Sequence, residues 1–151
     1  MSQIFKGRVI VAGNIKGEAL VSRKGFNTLA SFQKSIVTRA KVARCSDQDN
    51  KELYQKVITG KIMCLPQTIG STTGGLVILT AAQMGIAPAA MLFSKPIDSL
   101  AAAGILMTDI WLNKKIITVD CLGDEFLQAV KSGQQVEITE DGEVRILEKG
   151  K

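Results

Sequence analysis

The segment Leu65-Pro66-Gln67-Thr68-Ile69-Gly70-Ser71-Thr72-Thr73-Gly74-Gly75 decides how the rest of the chain is interpreted. The short apolar run 61–65 at its start, bounded by glycine and proline, is typical of a buried strand. Residues 76–84 after it predict a helix that ends at Gly85. An uncharged loop between a strand and a helix places backbone N–H groups and the positive end of the helix dipole beside residues 71–73. Such a loop suits a carboxylate, a phosphate or a developing oxyanion, but an ordinary helix N-cap explains the same residues equally well.

The composition fits one compact domain with a sizeable core. Hydrophobic residues make up 46% of the 151 residues and the mean hydropathy is +0.17, so part of the apolar surface is expected to contact a partner. Aromatic residues, at 5%, are too scarce for a surface that stacks nucleic-acid bases. The longest apolar run, 87–93, is too short to cross a bilayer. We therefore expect neither nucleic acid nor a membrane as a partner.

Positive charge is concentrated in the first third of the chain. The net charge is +5, and seven of the basic residues between Arg8 and Arg44 face a single acidic residue, Glu18. A basic face of this kind steers an anionic substrate or an acidic subunit in some proteins, although a solvated face without a role is commoner.

Histidine is absent, which excludes histidine-based triads, histidine metal ligands and phosphohistidine carriers within this chain. The three cysteines, Cys45, Cys64 and Cys121, are widely spaced and form no C-x-x-C pair. This odd number, without a signal peptide, predicts reduced thiols in the cytoplasm. Cys64 is expected to pack as a small hydrophobic residue. Cys45, beside Arg44 in a polar loop, is expected to be an ordinary exposed cysteine, with a reactive thiol or an approach to a metal centre held by a partner as the alternatives.

The remaining pattern predicts parallel βαβ units, in which strands at 61–65, 87–93 and 115–119 are separated by helices. The second of these helices spans 97–112 and has Asp98 or Ser99 as its cap. Further strands at 5–13 and 18–22, a turn at 14–17 and a hairpin over 135–147 would add a β layer. Segment 26–37 fits a helix or a loop, 45–50 reads as a polar loop, and short helices are expected at 50–57 and 126–131. We expect one α/β domain over residues 1–151.

Several motifs, taken in order, resemble a known family. Gly7-Arg8-Val9-Ile10-Val11-Ala12-Gly13 followed by Gly17-Glu18-Ala19-Leu20-Val21 is similar to the opening of the small, swivelling subunit or domain of aconitase X proteins. Leu65-Pro66 with Gly70-Ser71-Thr72-Thr73-Gly74 resembles the Leu-Pro…Gly-Ser-Ser-Ser-Gly loop of that family. The following helix, the stretch 85–90 and the strand 115–119 also match, so the resemblance covers residues 5–120.

The resemblance implies a swivelling β/β/α fold like the fourth domain of aconitase, with a parallel core sheet and flanking helices. It implies one half of a hydro-lyase whose larger, aconitase-like subunit holds an iron or iron–sulfur centre, with none bound by this chain alone. In such a protein Ser71 would be the general base that removes a proton next to the carboxylate of a small substrate. By the same resemblance, Gly70, Thr72, Thr73 and Gly74 would bind that substrate.

The substrate is where the sequence leaves alternatives open. Family members dehydrate cis-3-hydroxy-L-proline or phosphomevalonate. The chain departs from the family at Gln67-Thr68-Ile69, has Thr73 near the position of an aconitase arginine, and keeps only Ser31-Phe32 of a Ser-Phe-Trp-Gly-Gly run in 26–45. On this last departure we expect hydroxyproline, with a phosphomevalonate dehydratase small subunit as the alternative. A non-catalytic domain that holds an anion or serves as a scaffold is the third possibility.

Overall fold

The computed structural model describes residues 3–148, which form a mixed α/β fold. Its ten strands are β1 (Gln3–Lys6), β2 (Arg8–Val11), β3 (Ile15–Val21), β4 (Phe26–Asn27), β5 (Ile62–Leu65), β6 (Thr68–Ile69), β7 (Ala90–Phe93), β8 (Ile117–Asp120), β9 (Gln135–Ile138) and β10 (Glu143–Ile146). Its four helices are α1 (Thr28–Val37), α2 (Gly74–Gln83), α3 (Ser99–Leu112) and α4 (Asp124–Ala129). No helix among residues 3–148 is long and apolar enough to cross a membrane.

One segment of the chain joins the two edges of the main sheet. The eight strands follow the order β1-β10-β9-β3-β5-β7-β8-β2, with β3, β5, β7 and β8 parallel and the other neighbours antiparallel. The strands at the two ends of this order, β1 and β2, are separated in the chain by Gly7 alone. A Cβ atom on Gly7 would lie 2.3 Å from the carbonyl oxygen of Asp120, so only glycine fits where the sheet closes.

The central strands separate two apolar cores, because side chains alternate along a strand. In β5, Ile62 and Cys64 pack into one core together with α4, β9 and β10. Met63 and Leu65 pack into the other core, beneath α1, α2 and α3. All four residues are completely buried, which confirms the predicted buried strand and the packing role of Cys64. The predicted α/β class, with parallel core strands and flanking helices, is confirmed as well.

Three local predictions need correction or completion. The turn expected at 14–17 is wrong, because β3 already begins at Ile15, where it pairs with β9. The helix expected at 50–57 is also wrong: Asn50 accepts a hydrogen bond from Leu53 N as a cap would, but only turns follow, and Gln55 has a φ of 66°. The ambiguous segment 26–37 forms β4 and then α1, which Asn27 caps by accepting from Ala30 N.

Two glycines set the position of α2 against α3. A Cβ atom on Gly104 would lie 2.5 Å from the carbonyl oxygen of Gly75, and one on Gly75 would lie 2.9 Å from that of Leu100. The backbones of the two helices therefore touch near the N-terminus of each helix. Because Gly75 belongs to the first turn of α2, this contact also fixes where α2 begins.

A buried carboxylate ties the end of β8 to its neighbours. Asp120 accepts hydrogen bonds from Arg8 Nε at 2.9 Å, from an Arg8 terminal nitrogen at 2.6 Å and from Ile97 N at 2.7 Å. Burial alone would raise the pKa of Asp120, but these donors and the Arg8 charge hold that pKa below its usual range. The charged carboxylate thus connects β2, β8 and the segment that enters α3.

Gly104→Ala should destabilise the fold. An alanine in a helix interior gains about 1 kcal/mol over glycine. Here the added methyl meets the Gly75 backbone, and overpacking of this kind costs about 1–3 kcal/mol. Urea unfolding should show a lower midpoint than the wild type. The control is Ala103→Gly at the exposed neighbouring position, which measures the difference in helix propensity between alanine and glycine by itself. A Gly104→Ala protein more stable than the wild type would contradict the close contact.

Asp120→Asn should change how stability depends on pH. The folded-state pKa of Asp120 is lowered, so its contribution is present above the unfolded-state pKa and is lost as the pH falls through the folded-state pKa. The variant should be less stable than the wild type at neutral pH, and the difference should narrow in acid. Urea titrations between neutral and acidic pH test this. Asp49→Asn is the control. Asp49 is exposed, and its hydrogen bond with Lys24 Nζ is accepted by its backbone carbonyl oxygen, which the substitution keeps. A difference that stays constant with pH would contradict the charged role of Asp120.

Candidate functional site

The loop that carries the predicted site residues lies at the carboxyl end of the parallel strands. It connects β5 to α2, and within it β6 pairs in parallel with β4, which leads into α1. The loop is thereby placed beside the N-termini of α1 and α2. The carboxyl edge of a parallel sheet is where α/β proteins commonly bind their ligands.

Asp98 anchors the first half of this loop. Its carboxylate accepts hydrogen bonds from Thr68 N at 2.9 Å and from Thr68 Oγ1 at 2.6 Å. The same carboxylate accepts from Ala101 N at 3.0 Å and so caps α3, as the sequence predicted. The departure from the family at Gln67-Thr68-Ile69 therefore has a structural use, because Thr68 and Ile69 form β6 and Thr68 binds the cap of α3. No local feature of the sequence indicates this second function of Asp98.

Ser71 lies in the turn before α2 and is half-buried as a residue. Its Oγ accepts a hydrogen bond from Thr73 N at 3.2 Å and lies 2.8 Å from Thr73 Oγ1, where either hydroxyl is able to donate. Its carbonyl oxygen accepts from Gly74 N at 3.1 Å. The cap residue of α2 is Thr73, and α2 has no side-chain capping hydrogen bond, so Ser71 is not the ordinary helix cap that the sequence offered as one interpretation. Its exposed hydroxyl bonds to the cap residue, a geometry compatible with a base or with a group that orders the turn.

The other predicted site residues are two exposed threonines and two glycines that lie close to α1. Thr72 and Thr73 are exposed, and Thr73 is the residue from which α2 starts. Gly70 has a φ of +98°, and a Cβ atom there would lie 2.6 Å from Asn27 Oδ1. Gly74 is buried beside α1, where a Cβ atom would lie 3.6 Å from Thr28 Cβ, an ordinary contact distance. Gly70 is therefore the position at which only glycine lets the loop pass close to Asn27 at the start of α1, a contact that sequence reasoning did not identify.

Backbone amides supply the positive potential of the site. Ser71 occupies the N–H groups of Thr73 and Gly74, whereas those of Gly75 and Leu76 have no acceptor among residues 3–148. Amides in the first turn of a helix have no intrahelical partner and favour a negative group. The arrangement is suited to a carboxylate, a phosphate or a developing negative charge next to the Ser71 hydroxyl.

The described residues do not fit an iron centre. Within residues 3–148 no group of three His, Cys, Asp or Glu side chains comes together. Cys45, expected to be exposed, is buried instead, and burial raises the pKa of its thiol. Cys121 is exposed, and partial burial and the charge of Asp120 raise its pKa. A raised pKa disfavours the thiolate, which is the form that binds metal.

The fold, the loop that carries Ser71 and the glycine-containing N-terminal motifs together define the class of protein. The family model described as the Aconitase X swivel domain matches residues 4–146. The chain belongs to the aconitase X swivel-domain family, which confirms the resemblance inferred from the sequence.

Curated relatives cover nearly the whole chain. The phosphomevalonate dehydratase small subunit of Thermococcus kodakarensis is 32% identical over 149 residues, which cover 97% of this chain and 98% of that protein. The protein of the same description from Archaeoglobus fulgidus is 30% identical over 147 residues, covering 95% and 98%.

Solved structures agree with the fold. A chain in the crystal structure of Thermococcus kodakaraensis aconitase X, holo-form, superposes with a TM-score of 0.79 at 31% identity, covering 97% of this chain and 99% of that one. The solution NMR structure of a UPF0107 protein gives a TM-score of 0.76 at 28% identity, covering 97% and 100%. The predicted swivelling fold is therefore confirmed.

Proposed function

We propose that this chain is the small subunit of a hydro-lyase that dehydrates phosphomevalonate together with a larger aconitase-like subunit. The observation that carries the proposal is the similarity, over nearly their full length, to relatives described as phosphomevalonate dehydratase small subunits. The sequence alone favoured cis-3-hydroxy-L-proline and held phosphomevalonate as the alternative. These relatives favour the alternative, which replaces the first choice.

In this proposal the Ser71 hydroxyl is the general base. Dehydration begins when Ser71 Oγ, as the alkoxide, takes the proton of a C–H bond, and the electron pair of that bond forms a carbon–carbon double bond as the C–O bond breaks. The leaving hydroxide takes back the proton from the Ser71 hydroxyl, so that water is released and the alkoxide is restored. The contacts of Ser71 Oγ with Thr73 N and Thr73 Oγ1 hold the oxygen in place. A serine alkoxide is a costly base, so the nearby amides and the positive end of α2 are needed to stabilise negative charge.

The amides of Gly75 and Leu76 suit the carboxylate or the phosphate of such a substrate. Gly70 and Gly74 would allow the backbone to approach it, and Thr72 would contact it through an exposed hydroxyl. The iron or iron–sulfur centre implied by the family would need ligands from the larger subunit, because residues 3–148 bring no ligand set together. Three free cysteines support a reducing, cytoplasmic location.

A domain that binds an anion without catalysis is the competing function. The observation that favours it is the hydrogen bond from Thr73 N to Ser71 Oγ, a local serine turn that orders the loop before α2 without any catalytic role. The two functions differ in what the loss of the Ser71 hydroxyl does to turnover in the assembled enzyme.

Ser71→Ala should lower kcat by about 10²–10⁴-fold, the usual effect of losing acid–base catalysis. KM should change little, because the hydroxyl acts mainly in the transition state. The fold should survive, since the loss of one side-chain hydrogen bond costs about 1 kcal/mol. Steady-state kinetics of the assembled complex are the measurement. Wild-type kcat in the variant would leave Ser71 with only a structural role in the turn before α2 and place the base in the larger chain.

The matched control is Thr72→Ala, which removes an exposed hydroxyl from the same loop with no hydrogen bond to Ser71. Its expected effect is on KM more than on kcat. Thr73→Ala is not an independent control, because Thr73 Oγ1 lies 2.8 Å from Ser71 Oγ. We expect that variant to lower kcat as well as to raise KM.

The substrate is tested by comparing kcat/KM for phosphomevalonate and for cis-3-hydroxy-L-proline in the reconstituted pair of subunits. We expect a clear preference for phosphomevalonate, and we expect the isolated 151-residue chain to turn over neither compound. A preference for hydroxyproline would restore the first choice made from the sequence. Full turnover by this chain alone would refute its assignment as a subunit.

A further inference from the structure

We propose that the groove between α1 and α2 is the surface on which the larger subunit docks, an inference that rests on the proposed function. The groove encloses about 300 Å³. Leu29, Ile36 and Val37 line it from α1, Leu76 and Val77 line it from α2, and Thr73 stands at its end. None of its lining residues carries a charge.

One apolar side chain from each helix is exposed in this groove. Val37 of α1 is 74% exposed and Leu76 of α2 57%, and Ile69, which precedes the Ser71 loop in the chain, is 43% exposed. Single exposed apolar residues are ordinary, but a contiguous patch indicates a contact surface. The ten residues of α2 carry no charge, although 22% of the chain is charged. The helix next to the candidate site therefore lacks the charges that usually keep an exposed face in water.

The position of the groove identifies its occupant. Thr73 belongs both to the groove and to the site, since its hydroxyl contacts Ser71 Oγ. A chain that covers the groove therefore contacts Thr73, the residue next to the Ser71 hydroxyl. A second copy of this chain would bring another uncharged loop and no complementary catalytic group. The larger subunit is the partner that the reaction requires, and its docking segment should be apolar, because a charge buried here would have no partner.

Docking would also change the environment of Ser71. Ser71 is half-buried, its hydroxyl makes exposed hydrogen bonds, and Thr72 and Thr73 are exposed, so water reaches the site in the isolated chain. Expulsion of water strengthens electrostatic interactions between the amides and a negative group. The same contact would therefore bury the apolar groove and complete the surroundings of the base.

A matched pair of variants tests the surface. Val37 and Ile110 are both 74% exposed, and each lies in the last turn of a helix, where lysine is favoured by the helix dipole. Ile110 is at the end of α3 remote from the contact between Gly75 and Leu100. Val37→Lys should raise the Kd for the larger aconitase X chain by about tenfold or more, the effect of losing a central contact residue. Ile110→Lys should change this Kd by less than about twofold, as is usual for surface substitutions.

Leu76→Glu is the second variant, and it provides a test of the groove in case Val37→Lys does not fold. A carboxylate in the first turn of α2 is favoured by the dipole, so the helix should persist while the Kd rises. Calorimetry of each variant with the larger chain gives the Kd, and urea unfolding gives the stability. An unchanged Kd in both Val37→Lys and Leu76→Glu would overturn the proposal, as would an equal loss in Ile110→Lys. Self-association of this chain that Val37→Lys abolishes, with binding of the larger chain intact, would assign the groove to a second copy.

The outcomes separate this surface from the proposed function. Ser71→Ala should bind the larger chain with the wild-type Kd, because its hydroxyl is outside the groove. A complex that forms through the groove but does not dehydrate phosphomevalonate refutes the function and supports the surface. An active complex that is insensitive to both groove variants refutes the surface and supports the function.

Discussion

The carboxylate of Asp98 is the contact on which the candidate site depends. It holds Thr68 through two hydrogen bonds and caps α3 through a third, so the loop from β5 and the start of α3 share one anchor. The neighbouring amide, Ile97 N, donates to the carboxylate of Asp120, which also binds Arg8. A continuous path of polar contacts therefore runs from the strand that closes the sheet to the loop that carries Ser71. Each carboxylate in it is satisfied by several donors, the condition under which buried polar groups order a structure.

Hydrophobic runs made the central architecture predictable. The strands β5, β7 and β8 and the helices α2 and α3 were predicted from runs bounded by glycine, proline and capping residues, which act within a few positions of each other. The prediction of a short helix at 50–57 was wrong because it rested on the local capping signal at Asn50. Backbone amides in and near this segment instead form hydrogen bonds with carbonyl groups across the turn. Cys45 N and Gln55 N, for example, bond back across the turn, to Lys56 O and Cys45 O. Contacts between distant positions decided the outcome there.

The site shows the same division between local and distant information. The loop, its glycines and Ser71 were predictable because strand, loop and helix follow one another directly. The hydrogen bond between Thr68 and Asp98 joins residues 30 positions apart, and no sequence pattern near either residue predicts it. The expectation of hydroxyproline as the substrate, which the curated relatives do not favour, rested on the departure from the family run in 26–45. The two residues of that run that the chain keeps, Ser31 and Phe32, are buried, and Phe32 packs edge-on against Phe26 with ring centroids 6.0 Å apart. This part of the run therefore belongs to the core, and a comparison of sequence motifs alone does not separate packing residues from residues that choose a substrate.

The proposed catalytic serine and the proposed docking groove pose one physical problem that a partner subunit would resolve. A serine base works best where water is excluded, but residues 71–73 stand half or fully open at the tip of a loop. An apolar groove is costly in water, yet one adjoins the same loop and shares Thr73 with it. Both costs disappear in a single contact if the surface that covers the groove also closes over the serine. The chain alone would then be a stable fold with an unfinished site, and assembly would be the step that creates the catalytic environment.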